Sequence, residues 1–442
     1  MDSIGFRDRA HRRRRPRAPR RAPAFSRGLA AGCLLAAAAA CGDSGERDAR
    51  ELTVWLQVDA RLQWPEAVAA ATADFSRRHP GVRVKVAYQS WSDHTAKFDA
   101  SAQGGRTPDV IEMGTTETPQ YIAAGAFADL TAEKATFEHS AAWLPALTTA
   151  CTHAGRLRCV PYYGSNRAVV YRRDLLAEAG ATEPPRTWRE LMALIGRLSA
   201  RHRADPAFSP FFFPGQHQYA AMPFVYDAGG AVAVRRADGS WDARFSSPEG
   251  RRGLANWKAL MDAGYRGDRT INDLTAFSTM VAGKTAMFYD AGGHLRRVYG
   301  PQGDPALADL VGSFRLPSPA RKGAYVPSFM GGSVLAVPVK SRHRRWALDW
   351  IRAYTATANQ RRFVAGGGLA SSTAVTARDP RMKGYVESLT GTWSVPSAEH
   401  WAQVEKTKII PNMLVDIATG QVSVAAATRA ADGAIEEILN GS

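Results

Sequence analysis

The side chains best able to do chemistry are four cysteines and ten histidines. Cys151 and Cys159 flank Thr152-His153-Ala154-Gly155-Arg156-Leu157-Arg158. Gly155 can supply a turn, so a disulfide across a hairpin is expected. A metal site is not expected, because His153 is the only further ligand nearby and a structural zinc takes four. The remaining histidines are scattered and form no His-Glu-x-x-His or other tight ligand spacing. A Gly-x-Ser-x-Gly nucleophile elbow, a phosphate loop and a Gly-x-Gly-x-x-Gly turn are absent from the sequence. Gly366-Gly367-Gly368 follows a predicted helix instead of a strand, which makes it a helix end and turn. Asp238 with Asp242 and Glu436 with Glu437 fall on predicted exposed turns or helix faces. They read as solvated charge; a glycosidase pair needs carboxyls about 5 to 10 Å apart across a cleft. Neither catalysis nor a cofactor is expected, and the chemistry left is recognition.

For recognition the sequence offers aromatic residues beside neutral polar or acidic ones. Trp55, Trp64, Trp91, Tyr162, Tyr163, Tyr219, Tyr226, Trp241, Trp393 and Trp401 lie near predicted element ends or irregular stretches. Sugars present apolar C–H faces and dense hydroxyls, so flat rings edged by planar polar groups suit them better than they suit a phosphate or a metal. Aromatic rings also dominate core burial, so each ring taken singly has a competing place in the interior.

The elements that would position these groups alternate along the chain. Leu52 to Leu56 predicts a buried strand, Trp64 to Arg78 a helix, and Val82 to Tyr88 a strand alternating apolar and polar residues. A helix from Asp93 to Gln103, a strand from Asp109 to Met113 and a helix ending near Gly125 repeat the plan, which implies a parallel α/β sheet. Val160 to Asn166 reads as an irregular aromatic stretch, and Ala168 to Tyr171 as a strand before Asp174, a candidate N-cap. Thr187-x-x-Glu190 is a capping box that should start a helix running to Arg201, with Leu191, Leu194, Ile195 and Leu198 on one face. Further helices are expected over Pro248 to Ala263, Thr270 to Ala282, Arg344 to Thr355 and Met413 to Leu439. Short strands are expected at Ala286 to Tyr289, Leu310 to Phe314 and Ser333 to Val337.

The formal net charge of +16 at first suggests a nucleic-acid or anionic-membrane partner. Residues 1–40, however, hold ten Arg and two Asp, which is half of that excess. The other 402 residues are of ordinary globular composition and long enough for two core-bearing lobes. After the Arg-rich start, Gly28 to Ala40 is an uncharged run of thirteen residues. A bilayer-spanning helix needs about 20, so this run fits the apolar core of an export signal. Its ending, Ala38-Ala39-Ala40-Cys41, resembles a bacterial lipobox, which makes Cys41 the expected lipidated first residue of the mature protein. Residues 1–40 are then the signal peptide and 41–50 a tether.

Several motifs in order carry a wider resemblance. Thr107-Pro108-Asp109-Val110-Ile111 is followed by Ala123-Ala124-Gly125-Ala126-Phe127-Ala128-Asp129-Leu130. Then come Val160-Pro161-Tyr162-Tyr163, Tyr171-Arg172-Arg173-Asp174-Leu175-Leu176 and Pro185-Arg186-Thr187-Trp188-Arg189-Glu190-Leu191. Gly283-Lys284-Thr285-Ala286-Met287 and Phe329-Met330-Gly331-Gly332-Ser333 complete the set. From about residue 52 to 440 the chain thus resembles the extracellular solute-binding proteins (family 1, maltose-binding-protein-like) of bacterial carbohydrate ABC importers.

The resemblance implies a periplasmic-binding-protein-like type II fold. Two α/β lobes of discontinuous chain, joined by a hinge, would hold the ligand in the cleft between them. Carried onto this sequence, lobe one would be 51–161 with 326–376, and lobe two 162–325 with 377–442. Family contact positions would fall on Asp59, in the loop after the first strand, and on Met113, Thr116 and Glu117. Ser165 and Asn166 would lie where the chain crosses between lobes, and Gln216, His217 and Tyr219 would help build an aromatic platform. Trp401 would stack on the ligand. The family often has Gly-x-Trp after Gly-Lys-Thr-Ala-Met; here Tyr289-Asp290-Ala291-Gly292-Gly293-His294 lacks the Trp, and Asp290 and His294 would supply polar contacts instead. The implied protein is a monomer, lipid-anchored on the extracellular or periplasmic side of the cell membrane. It would pass a mono- or oligosaccharide to the transmembrane subunits of an ABC permease, without nucleic acid, metal or cofactor. Competing readings are another solute (a polyol, glycerol phosphate or an opine), a secreted carbohydrate-active enzyme, and a polyanion binder.

Overall fold

The computed structural model describes residues 50–441. The expected signal segment, Cys41 and nearly all of the tether lie outside them. Ten strands form two main sheets: β1 (Glu51–Gln57), β2 (Arg83–Gln89), β3 (Val110–Gly114), β4 (Val160–Ser165), β5 (Arg167–Arg172), β6 (Ser209–Phe212), β7 (Thr285–Ala291), β8 (Val311–Phe314), β9 (Gly331–Ala336) and β10 (Leu369–Ala370). The six-stranded sheet runs β10-β4-β9-β3-β1-β2 and the four-stranded sheet β8-β5-β7-β6.

The expected parallel arrangement holds for β2-β1-β3 and for β6-β7. Elsewhere neighbours are antiparallel, and β9 and β5 each follow a crossing from the other sheet. β1, an interior strand between β3 and β2, carries Leu52, Val54, Trp55 and Leu56 and is buried almost throughout. β2, at the edge, carries Arg83 and Lys85 outward, charges that discourage a further strand from pairing there.

Each sheet has its own core. Leu52, Val54, Phe75, Phe98, Trp350 and Phe363 pack in the first, and Val169, Leu194, Phe211, Trp257 and Met287 in the second. The capping box forms as expected: Thr187 accepts from the Glu190 amide, Glu190 accepts from the Thr187 amide, and helix Trp188–Arg201 buries Leu191, Leu194, Ile195 and Leu198. Cys151 and Cys159 are joined by a disulfide behind the hairpin of Thr152–His153 and Arg156–Leu157, whose turn holds Gly155 at φ +74°. The glycine triplet ends helix Thr357–Ala365.

Four expectations are corrected. Val160 to Asn166 is not irregular, since β4 occupies Val160–Ser165 inside the larger sheet. Asp174 lies in the first turn of helix Arg173–Glu178, and Arg172 is the residue before it. The helix expected over Thr270 to Ala282 is confined to Ala276–Val281. That expected over Met413 to Leu439 is two helices, Ile409–Thr419 and Val424–Asn440, parted at Gly420, whose φ is +73°.

Three crossings join the lobes and are tied to one another. β4 ends at Ser165 and β5 begins at Arg167, so Asn166 alone carries the chain between sheets. The Asn166 side-chain amide donates to the Tyr385 carbonyl at 2.8 Å, and the Arg167 backbone exchanges 2.8 Å hydrogen bonds with Ser328 Oγ. No helix among the described residues is long and apolar enough to cross a membrane.

Candidate functional site

Both lobes present polar and aromatic side chains to the space between the ends of β1, β3, β5 and β7. On the first lobe, Asp59 lies in helix Val58–Gln63 directly after β1, where a loop was expected. Its Oδ2 accepts from Trp91 Nε1 at 2.6 Å and its Oδ1 from Gln63 Nε2 at 3.0 Å. The Trp91 side chain, held by that bond, is still 39% exposed, an unusual position for a tryptophan.

His94 bonds Glu117 Oε2 at 2.7 Å through Nε2 and the Trp91 carbonyl at 3.2 Å through Nδ1. Burial works against the imidazolium, but Glu117 outweighs it and raises the His94 pKa. A Cβ at Gly114 would stand 3.2 Å from Glu117 Oε2 and 3.4 Å from the Trp91 ring, so bare backbone at the end of β3 lets both side chains lie over it. Beneath them Glu112 is fully buried. Burial pushes its carboxyl up to about 7, against the 2.8 Å bond from the Gln57 amide that favours the charged form.

Tyr219, of the second lobe, stacks at 4.4 Å on Phe329, which lies where the chain returns to the first lobe, and the Arg167 guanidinium stands 4.8 and 5.0 Å from their ring centres. Arg167 Nε makes no hydrogen bond although it is buried. Glu405, on helix Trp401–Lys406, accepts from Tyr219 OH at 2.6 Å, from Trp401 Nε1 at 3.0 Å and, across the cleft, from Thr116 Oγ1 at 2.9 Å. Burial raises its pKa, with these three neutral donors pulling the other way.

Asp290, at the end of β7, bonds His294 one helical turn later. Burial pushes the Asp290 carboxyl up, but His294, His217 and Arg167 outweigh it and hold the carboxyl well below the ordinary range. Asp290 in return raises His294 against the effect of burial. A second link between the lobes is the 4.0 Å approach of Arg297 to Asp59.

The structure thus brings Asp59, Thr116, Glu117, Tyr219, Asp290 and His294 into this region. Ser165 and Asn166 sit at the crossing as placed, Ser165 being paired with Gly331 in the sheet. Others depart from expectation. Met113 is fully buried within the core of the first lobe. Gln216 is exposed, with its amide held by the Ile271 carbonyl. The Trp401 ring is fully buried and offers only its Nε1, which is spent on Glu405. His217 is 4% exposed and flanks Tyr219 without stacking. Tyr162, Trp393 and Tyr226 are interior rings as well.

Sequence reasoning missed His94, Arg167, Phe329 and Glu405. The one available signal was the four-residue spacing of Trp401 and Glu405 on a short helix, which puts both on one face.

A family model described as bacterial extracellular solute-binding protein matches residues 60–361. The diacetylchitobiose binding protein DasA of Streptomyces coelicolor is 26% identical over 332 residues, covering 72% of this chain and 75% of its own. The mannitol-binding protein of Pseudomonas aeruginosa is 25% identical over 281 residues, 61% of each chain. Among solved structures, an ABC transporter solute-binding protein from Thermotoga lettingae bound with α-D-tagatose superposes with a TM-score of 0.75 at 21% identity. It covers 88% of this chain and 100% of its own. The sugar-binding protein MalE of Xanthomonas citri gives 0.74 at 20% identity, over 88% and 98%. These likenesses establish the fold as the two-lobed type II arrangement.

Proposed function

Because the chain belongs to the bacterial extracellular solute-binding protein family, we propose that it captures a neutral sugar or short oligosaccharide outside the cell and delivers it to an ABC permease, without catalysis. The observation that carries this reading is the pairing of walls. One lobe offers Trp91 held on Asp59, the other offers Arg167 and Tyr219 with Phe329 stacked on the tyrosine at the crossing, and Thr116 already bridges to Glu405. Rings supply faces for C–H groups, and the carboxylates accept hydroxyl protons in a desolvated setting where such charge-assisted bonds are strong. Relatives that bind diacetylchitobiose and tagatose support the same substrate class. The mannitol-binding relative favours a polyol as second reading.

We further read 51–165 with 326–376 as one lobe and 166–325 with 377–442 as the other, the first boundary moving from 161 to 165 because β4 stays in the larger sheet to Ser165. The mature protein is a monomer, held to the membrane by lipid on Cys41. Two acyl chains suffice for stable anchoring, at about 0.8 kcal/mol per buried CH₂.

Isothermal titration against diacetylchitobiose, maltose, maltotetraose, tagatose and mannitol tests the function. Binding of at least one saccharide is expected, mannitol alone would select the polyol reading, and no binding to any would overturn both. Mass spectrometry of the membrane fraction tests the anchor, which an unmodified Cys41 would remove. Retention on heparin at physiological salt would revive the polyanion reading.

A further inference from the structure

Beside the ring stack, three residues from separate segments converge: His217 before helix Gln218–Asp227, Asp273 in the turn before helix Ala276–Val281, and Asp290 on β7. One donor atom from each lies within 4.8 Å of the other two, and His217 Nε2 stands 3.7 Å from Asp273 Oδ2. That separation is too long for a hydrogen bond. His217 is 4% exposed and its Nε2 has no hydrogen-bond partner. An orphaned polar atom in such a place carries an unrecovered desolvation cost, which a bound group would offset.

The cluster also has outer support. Asp290, 2% exposed, accepts from the Ala291 amide at 2.7 Å through Oδ1 and bonds His294 Nδ1 through Oδ2. Metal-binding carboxylates are commonly oriented from behind in this way. The Asp273 side chain is 26% exposed and lies on the open side.

We propose that His217 Nε2 and carboxylate oxygens of Asp273 and Asp290 bind a divalent transition-metal ion of the zinc class, leaving a fourth position for water or a ligand hydroxyl. One imidazole nitrogen with two carboxylates suits zinc, while calcium and magnesium take oxygen ligands alone. Bonds of about 2.0–2.2 Å place tetrahedral ligand atoms roughly 3.4 Å apart, so the donor atoms, all within 4.8 Å of one another, need to close by at most about 1.4 Å. The three residues are dispersed over His217 to Asp290, so no ligand-spacing motif exposes them in the sequence.

The test is titration of the chelator-stripped protein with Zn²⁺ and with Co²⁺, whose visible spectrum reports coordination. One equivalent is expected to bind. His217→Ala should abolish that binding, and Asp273→Asn should weaken it at least tenfold. His294→Asn, which removes the support behind Asp290, should weaken it about tenfold. Absence of stoichiometric binding, or binding unchanged in both His217→Ala and Asp273→Asn, would overturn the proposal. Should His217→Ala fail to fold, Asp273→Asn decides alone, since its side chain is partly exposed. Saccharide titrations in chelator are run separately, so failure of the metal site and failure of the sugar reading are distinguishable.

Discussion

Glu405 is the residue on which the two walls depend most, because one carboxylate holds Tyr219, Trp401 and, from the other lobe, Thr116. In Glu405→Gln one of the two acceptor oxygens becomes an NH₂, and either Thr116 or the Tyr219–Trp401 pair loses its partner. A loss of about 1.5 kcal/mol corresponds to roughly tenfold weaker saccharide binding, read by titration. Glu112 makes a different prediction. Its folded pKa, about 7, lies above the unfolded value of a glutamate, so its contribution to stability is full below about 4.5 and lost as pH rises through 7. The melting temperature of the native protein should therefore fall over that window relative to Glu112→Gln, and parallel curves would exclude the effect. The Asp290–His294 contact joins the end of β7 to the first turn of helix Gly292–Tyr299, so it follows from the strand-to-helix turn and not from a shared helix face. Glu405 was only partly legible: its four-residue spacing from Trp401 puts the two on one face, but nothing local shows that Trp401 is used through Nε1 and not through its ring.

Elements whose ends are written in local chemistry were legible, and those decided by partners distant in sequence were not. The Thr187–Glu190 box starts its helix where expected. Before Ala276 the helix fails because Asp268 bonds the Thr270 amide and Asn272 the Leu274 amide, giving the backbone local partners that compete with helix formation. β4 was hidden by Pro161 and Gly164; the sheet accommodates it by shifting register between Ser333 and Val334, opposite that proline. The start of helix Gly292–Tyr299 carries a prediction of its own. A Cβ on Gly292 would meet the Gly367 carbonyl at 2.3 Å, in the segment ending helix Thr357–Ala365. Gly292→Ala is expected to hold the lobes apart, weakening saccharide binding at least tenfold while leaving the far-ultraviolet spectrum unchanged. Undiminished affinity would count against close approach at this point.

For the molecule as a whole, the order of motifs carried the two-lobed fold and the position of the cleft, whereas the depth of each side chain depended on packing that no local pattern records. The contacts of Thr116 with Glu405 and of Arg297 with Asp59 join the two walls, and a ligand bridging both walls would favour the arrangement that makes them. Small-angle scattering should show the radius of gyration falling when saccharide is added, and Thr116→Val should lessen the population already closed without it. An unchanged radius at saturating ligand would mean that binding requires no lobe movement.

The position of β9 also bears on how the protein comes into being. It lies between β4 and β3 in the middle of the larger sheet, yet it is Gly331–Ala336, late in a chain made from its other end. The core of the lobe built on the four-stranded sheet likewise draws on Trp401, Leu414 and Ile435. Neither half can therefore finish while the ribosome is still at work on the first three hundred residues, although domains that are continuous in sequence usually fold as they emerge. A nascent chain that must wait in this way stays threadable, which is the condition in which a polypeptide can pass through a secretion channel.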